Sequence, residues 1–82
     1  MSTMAVFLPA ISDVTEFVNI MSRFPFEAQL TVGNYAVDAK SLMGIFTLDR
    51  AHPIQLVAET ADCDELTRLT EAIDRFLYHP VH

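Results

Sequence analysis

Few residues of this 82-residue chain are of a type that does chemistry, and the best placed is Ser41. It stands in Ala39-Lys40-Ser41-Leu42-Met43-Gly44, directly before a short apolar, helix-like run from Leu42 to Leu48. A helix start leaves backbone N–H groups without partners and carries partial positive charge. A serine there is a natural N-cap, because its oxygen accepts one of those N–H groups. A phosphoryl group would also be electrostatically favoured at that place. From spacing alone, capping is the better-supported role. The histidines are His52, His79 and His82. The last two flank Pro80 near the end of the sequence and do not suggest a firm metal site. Cys63 is the one cysteine. It has no partner for a disulfide or a Cys-based metal site and reads as a small residue in the first turn of a helix. No Gly-rich phosphate loop, Ser-His-Asp set or metal-spaced cluster is present, so the chain is not expected to be a stand-alone enzyme or to carry a cofactor or metal.

Hydrophobic residues make up 51% of the chain, enough for a real core in one small domain spanning residues 1–82. The formal charge is −6, and the bases Arg23, Lys40, Arg50, Arg68 and Arg75 are scattered. That argues against a nucleic-acid or anionic-membrane surface, which needs clustered Lys and Arg. Met1 to Pro9 lacks the basic n-region of a signal peptide, and no run is long enough to span a bilayer. A cytoplasmic location is expected.

The elements that must position Ser41 follow from periodicity. Met4 to Leu8 reads as a strand bounded by Pro9. Ser12 or Asp13 opens a helix, with Asp13 and Glu16 at capping-box spacing. Val14, Phe17, Val18 and Met21 form its apolar stripe, and Pro25 marks its end. Glu27 to Val32 alternates as a half-buried strand, with Ala28, Leu30 and Val32 on one face. Gly33-Asn34 predicts a tight hairpin into Tyr35 to Asp38. The short helix after Ser41 follows, then a loop over Asp49 to Pro53, then a strand from Ile54 to Glu59. Asp62 with Glu65 opens a last helix, striped by Leu66, Leu69, Ile73, Phe76 and Leu77. Asp64 with Arg68, and Glu71 with Arg75, have the spacing of i,i+4 ion pairs. The order β-α-β-β-α-β-α, with one-faced strands and one-striped helices, predicts an α+β fold: an antiparallel sheet with its helices on one side.

This order, together with Ala39-Lys40-Ser41-Leu42-Met43-Gly44-Ile45, resembles the HPr phosphocarrier family of the bacterial sugar phosphotransferase system. Glu16-Phe17-Val18, Phe24, the strand at Ala28 to Val32 and the following hairpin fall in the same register, so the resemblance covers roughly residues 14–78. It implies an open-faced β-sandwich of four antiparallel strands under three helices. The family has two phosphorylation sites: an acceptor His in Gly-[apolar]-His-x-Arg-Pro-Ala at the start of the first helix, and a regulatory Ser phosphorylated by an ATP-dependent kinase. The resemblance maps the second onto Ser41. The first is missing. In gapless register Ala10 takes the His place, Ser12 the Arg place and Asp13 the Pro place. That register also puts most of the first strand before residue 1, whereas a shortened loop after Met4 to Leu8 keeps the strand. Either alignment leaves no His near the first helix.

The resemblance therefore implies a regulatory or binding protein of the phosphotransferase system or of carbon catabolite repression, unable to relay phosphate through the usual His. Regulatory phosphorylation falls on Ser41, where a phosphate at an exposed helix start is favourable by roughly 0.3–1 kcal/mol. Partner contacts fall on Lys40, Leu42, Met43, Gly44, Ile45 and Phe46. The implied partners are HPr kinase/phosphorylase and a transcriptional regulator. Two alternatives stand beside this reading. One is an interaction domain without phospho-chemistry, whose shortened loop leaves a sheet edge for another chain. The other is a phosphocarrier with its acceptor relocated to His52, since the family's loop after the short helix lies close to the acceptor loop.

Overall fold

Alternating apolar residues become the buried face of a four-stranded sheet. The computed structural model describes residues 2–78; Met1 and residues 79–82, with His79, Pro80 and His82, lie outside the described residues. The elements are β1 (Ser2–Val6), α1 (Ile11–Met21), β2 (Ala28–Val32), β3 (Tyr35–Asp38), α2 (Leu42–Phe46), β4 (Ile54–Ala58) and α3 (Cys63–Ala72), followed by a 3-10 turn at Asp74–Phe76. The strand order is β1-β4-β2-β3, antiparallel throughout. Met4, Leu56, Leu30 and Val37 form one row across the covered face. Leu30 and Leu56 are fully buried there against Phe17, Ile45, Leu69 and the rest of the core. Burying a side chain of that size stabilises the fold by about 1.5–3 kcal/mol. The opposite face, with rows Thr3-Val57-Gln29-Asp38 and Ala5-Gln55-Thr31-Ala36, contributes nothing to that core.

β2 and β3 are joined by the expected two-residue turn, since Val32 pairs with Tyr35. Of the two turn residues only Gly33 takes a positive φ, 57°, so glycine supplies the left-handed residue and Asn34 does not. No helix among the described residues is long and apolar enough to cross a membrane.

Several local expectations change. β1 lies two residues earlier than Met4 to Leu8, because past Val6 the chain exchanges β4 for the C-terminal segment. The Phe7 N–H donates to the Phe76 carbonyl (2.8 Å), and the Tyr78 N–H donates to the Ala5 carbonyl (2.9 Å). Val6 bridges Leu77, and the Phe7 and Tyr78 rings meet edge to face. The outer edge of β1 at Ala5 to Phe7 is thus already paired within the chain. β1 is followed by α1 after Phe7 to Ala10 only, the arrangement that the shortened-loop alignment requires. α1 begins at Ile11 with Ala10 as N-cap, not at Ser12 or Asp13. Asp13 is the third helical residue, and its carboxylate reaches back to accept the Ala10 N–H (3.2 Å).

At α3 the expected cap holds through an added link. Asp62 accepts the N–H groups of Asp64 and Glu65, while the Thr60 hydroxyl accepts the Asp62 N–H and donates to the Glu65 carboxylate. The helix gives way at Ile73 to the 3-10 turn, which carries Arg75 off the face of Glu71. Arg75 instead pairs with Glu16 of α1 and lies over the Phe76 ring. Neither Asp64–Arg68 nor Glu71–Arg75 forms an ion pair among the described residues.

Candidate functional site

Two helices start directly after strands at the front of the chain, α1 after β1 and α2 after β3. At the second, Ser41 has extended backbone geometry (φ −102°, ψ 105°), and its Oγ accepts the Gly44 N–H at 3.2 Å. The sequence preceding it fixes that geometry. The Asp38 carboxylate accepts the Lys40 N–H (2.8 Å), and the Asp38 carbonyl accepts the Ser41 N–H (3.0 Å). This aspartate turn delivers the chain from β3 into α2 with the hydroxyl in capping position. Ser41 is half-buried.

α2 has only five residues, too few to hold a helix without support. Two cations supply part of that support. Lys40, before α2, donates from Nζ to the carbonyl of Phe24 beyond the end of α1 (2.7 Å). Arg50, after α2, donates from Nη1 to the carbonyls of Leu8 (3.2 Å) and Pro9 (3.1 Å) ahead of α1, with its guanidinium over the Phe46 ring. The segment carrying α2 is thereby tied at both ends to the chain flanking α1. At its C-terminal end Thr47 donates to the Gly44 carbonyl (2.6 Å) and receives the Tyr35 hydroxyl proton (3.3 Å).

The segment expected to contact partners divides by burial. Met43 is 75% exposed, whereas Leu42, Gly44 and Phe46 are half-buried. Ile45 is fully buried and belongs to the core, which corrects its place on a partner surface. A five-residue helix packed on a sheet must turn one residue fully inward, and Ile45 is that residue. Lys40 is engaged inward through its ammonium.

The start of α1 has different chemistry. Its N-cap, Ala10, makes no side-chain cap, and the nearby carboxylate of Asp13 already occupies the Ala10 N–H. Ser12 and Ile11 are exposed in its first turn. His52 is exposed in the loop after α2 and hydrogen-bonds to no other described side chain. Arg50 brings that same loop against Leu8 and Pro9. The roles of Lys40 and Arg50 as ties were not read from the sequence, since a lone cation carries no pattern that names a backbone carbonyl as its partner. No pocket, and no group of three His, Cys, Asp or Glu side chains able to hold a metal, occurs among the described residues.

Neither a family model nor a curated protein matches the chain by sequence. Solved structures match it by shape. HPr-C-His from Thermoanaerobacter tengcongensis is 22% identical with a TM-score of 0.69, covering 89% of this chain and 90% of its own. The phosphocarrier protein HPr from Bacillus anthracis str. Ames is 23% identical with a TM-score of 0.64, covering 87% and 92%. The catabolite repression protein Crh of Bacillus subtilis, a domain-swapped dimer, is 22% identical with a TM-score of 0.61, covering 93% and 88%. The chain has the HPr-like fold: a four-stranded antiparallel sheet with three helices, α+β. Within that fold it is a form with Ala10 at the start of the first helix and Ser41 at the start of the second.

Proposed function

We propose that this protein is a divergent HPr-like regulatory or binding protein, related to the phosphotransferase system or to carbon catabolite repression, that does not relay phosphate through a histidine on α1. Its switch is Ser41, and its partners are an HPr-type kinase/phosphorylase and a transcriptional regulator that docks on the exposed part of α2. It works in the cytoplasm and is not itself an enzyme. The observation that carries this reading is the contrast between the two helix starts. Ala10 offers no group able to accept a phosphoryl, while Ser41 offers a hydroxyl on the N-cap of α2. Phosphorylation there adds between one and two negative charges and several acceptor oxygens beside the exposed Met43. A switchable charge next to an apolar side chain is a device for changing partner choice without refolding.

The test is incubation of the full chain with HPr kinase and ATP, read by intact mass. One added phosphoryl group is expected, and none on Ser41→Ala. A phosphoryl group that survives Ser41→Ala would defeat the reading. Phosphoenolpyruvate with the first enzyme of the phosphotransferase system is expected to add nothing. Transfer that is lost in His52→Ala would establish the relocated acceptor instead.

A further inference from the structure

Gly44 bounds the space around the Ser41 hydroxyl. A Cβ added at Gly44 would lie 3.1 Å from Ser41 Oγ, 3.3 Å from Val37 Cβ and 3.4 Å from Ser41 Cβ. The two carbon distances fall below the usual optimum of about 3.5–4.0 Å between non-bonded carbons, and the contact with Oγ is shorter still. No backbone requirement explains glycine here, because Gly33 is the residue with a positive φ and Gly44 sits within α2. Helix propensity opposes it, since glycine ranks below every residue but proline in a helix interior. What remains is room, and two of the three atoms that need it belong to Ser41.

We propose that Gly44 is the residue that makes Ser41 modifiable: its missing side chain leaves the space in which Oγ carries a phosphoryl group. The inference rests on the reading of Ser41 as a phosphorylation site. In that modification Oγ attacks the γ-phosphorus of ATP, the Oγ–P bond forms, the bond to the β-phosphate breaks, and ADP leaves. The hydroxyl proton passes to a base of the kinase. The ester oxygen then stays beside the Gly44 N–H with a tetrahedral phosphorus attached. With hydrogen at residue 44 both the cap bond and the new group fit. With a methyl group at that position the substituted oxygen must swing away, and the cap is lost along with the phosphate's contact with the helix start. Unmodified serine is far less sensitive, because the hydroxyl bears only a hydrogen and gives way by a few tenths of an ångström.

The test installs phosphoserine at position 41 during translation, so no kinase is involved, in full chains carrying either Gly44 or Gly44→Ala. Thermal midpoints of the four proteins close a cycle. With Gly44, phosphoserine is expected to move Tm by no more than about 2 °C; with Gly44→Ala it is expected to lower Tm by at least about 5 °C. A further background, Gly44→Ala with Val37→Ala, relieves the contact to Val37 and keeps the one to Ser41 Oγ. It serves where Gly44→Ala alone does not fold, and the same penalty is expected in it. Equal shifts on phosphoserine in the glycine and alanine backgrounds would overturn the proposal. HPr kinase and ATP acting on the unmodified chain report separately on Ser41 as a target. Failure there removes the functional reading, whereas failure of the thermal cycle removes only the role given to Gly44.

Discussion

The starts of α1 and α2 present the same backbone problem with opposite chemistry. Each helix begins with an extended N-cap residue and N–H groups that need acceptors. At α1 the side-chain link runs backwards, the Asp13 carboxylate accepting the N–H of the cap residue Ala10. At α2 the acceptor is a neutral hydroxyl on Ser41. At the first, the cap residue Ala10 has no side-chain oxygen, and the carboxylate of Asp13 stands close by. At the second, the cap residue itself bears the hydroxyl. Two helix starts of one fold thus use different side chains, a carboxylate from inside the first turn and a hydroxyl at the cap position.

The largest test asks whether both helices are held by the core rather than by their starts. Phe17 of α1 packs edge to face on Phe76 with 6.1 Å between ring centres. Phe17→Ala is expected to cost about 3–5 kcal/mol, and Ile45→Ala, which empties the one fully buried position of α2, about 2–5 kcal/mol. Urea unfolding measures both. A loss below about 1 kcal/mol for Ile45→Ala would mean that α2 is held by its ties alone.

The next test removes a tie. Lys40→Met keeps the aliphatic stem but leaves the Phe24 carbonyl without its charged donor. A hydrogen bond to a charged group is worth about 1.5–3 kcal/mol when buried, and this one is part-buried, so a loss nearer about 1 kcal/mol is expected. Hydrogen exchange should show faster opening of the N–H groups of Gly44 and Ile45, with those of α1 little changed. Uniform acceleration across the molecule would count against a tie specific to α2.

Exchanging the caps sharpens the contrast directly. Ser41→Ala is expected to lower stability by about 1 kcal/mol, the usual worth of a hydroxyl N-cap, and Ala10→Ser to raise it by about 0.5–1 kcal/mol. A serine at position 10 would accept an N–H of the first turn while Asp13 keeps the N–H of residue 10, the two halves of a capping box. If Ala10→Ser gives nothing while Ser41→Ala costs its full share, the first-turn N–H groups of α1 need no side-chain acceptor.

These same positions show what a sequence discloses. Strand faces were legible because Ala28, Leu30, Ile54, Leu56 and Ala58 alternate and all are buried. The cap at Ser41 was legible because a hydroxyl stood before an apolar run. Ser12 and Asp13 have better capping chemistry than Ala10, yet the cap falls two or three residues earlier, at Ala10, and Asp13 acts from inside the first turn. The i,i+4 spacing pairs Arg75 with Glu71, a rule that fails once the helix ends at Ala72 and the chain tightens into a 3-10 turn. Lys40 and Arg50 were invisible as ties, since their acceptors are backbone carbonyls 16 and about 41 positions away, and a carbonyl has no signature in sequence.

The smallest stability effect carries the most about the proposed function. Met43 is 75% exposed on α2, so Met43→Ala removes little buried surface and should leave stability within about 0.5 kcal/mol of the parent. A glutamate at the same place, Met43→Glu, should be equally well folded but sets a permanent negative charge beside the Ser41 cap. If α2 docks a partner through this side chain, both variants keep their thermal midpoint and lose binding, with Met43→Glu losing more. If partner binding is unchanged in both, the exposed methionine is a solvent-facing residue of a short helix and the docking surface lies elsewhere. Stability and binding separate cleanly here because Ile45, next but one along the helix, carries the packing of α2 alone among its residues that are fully buried.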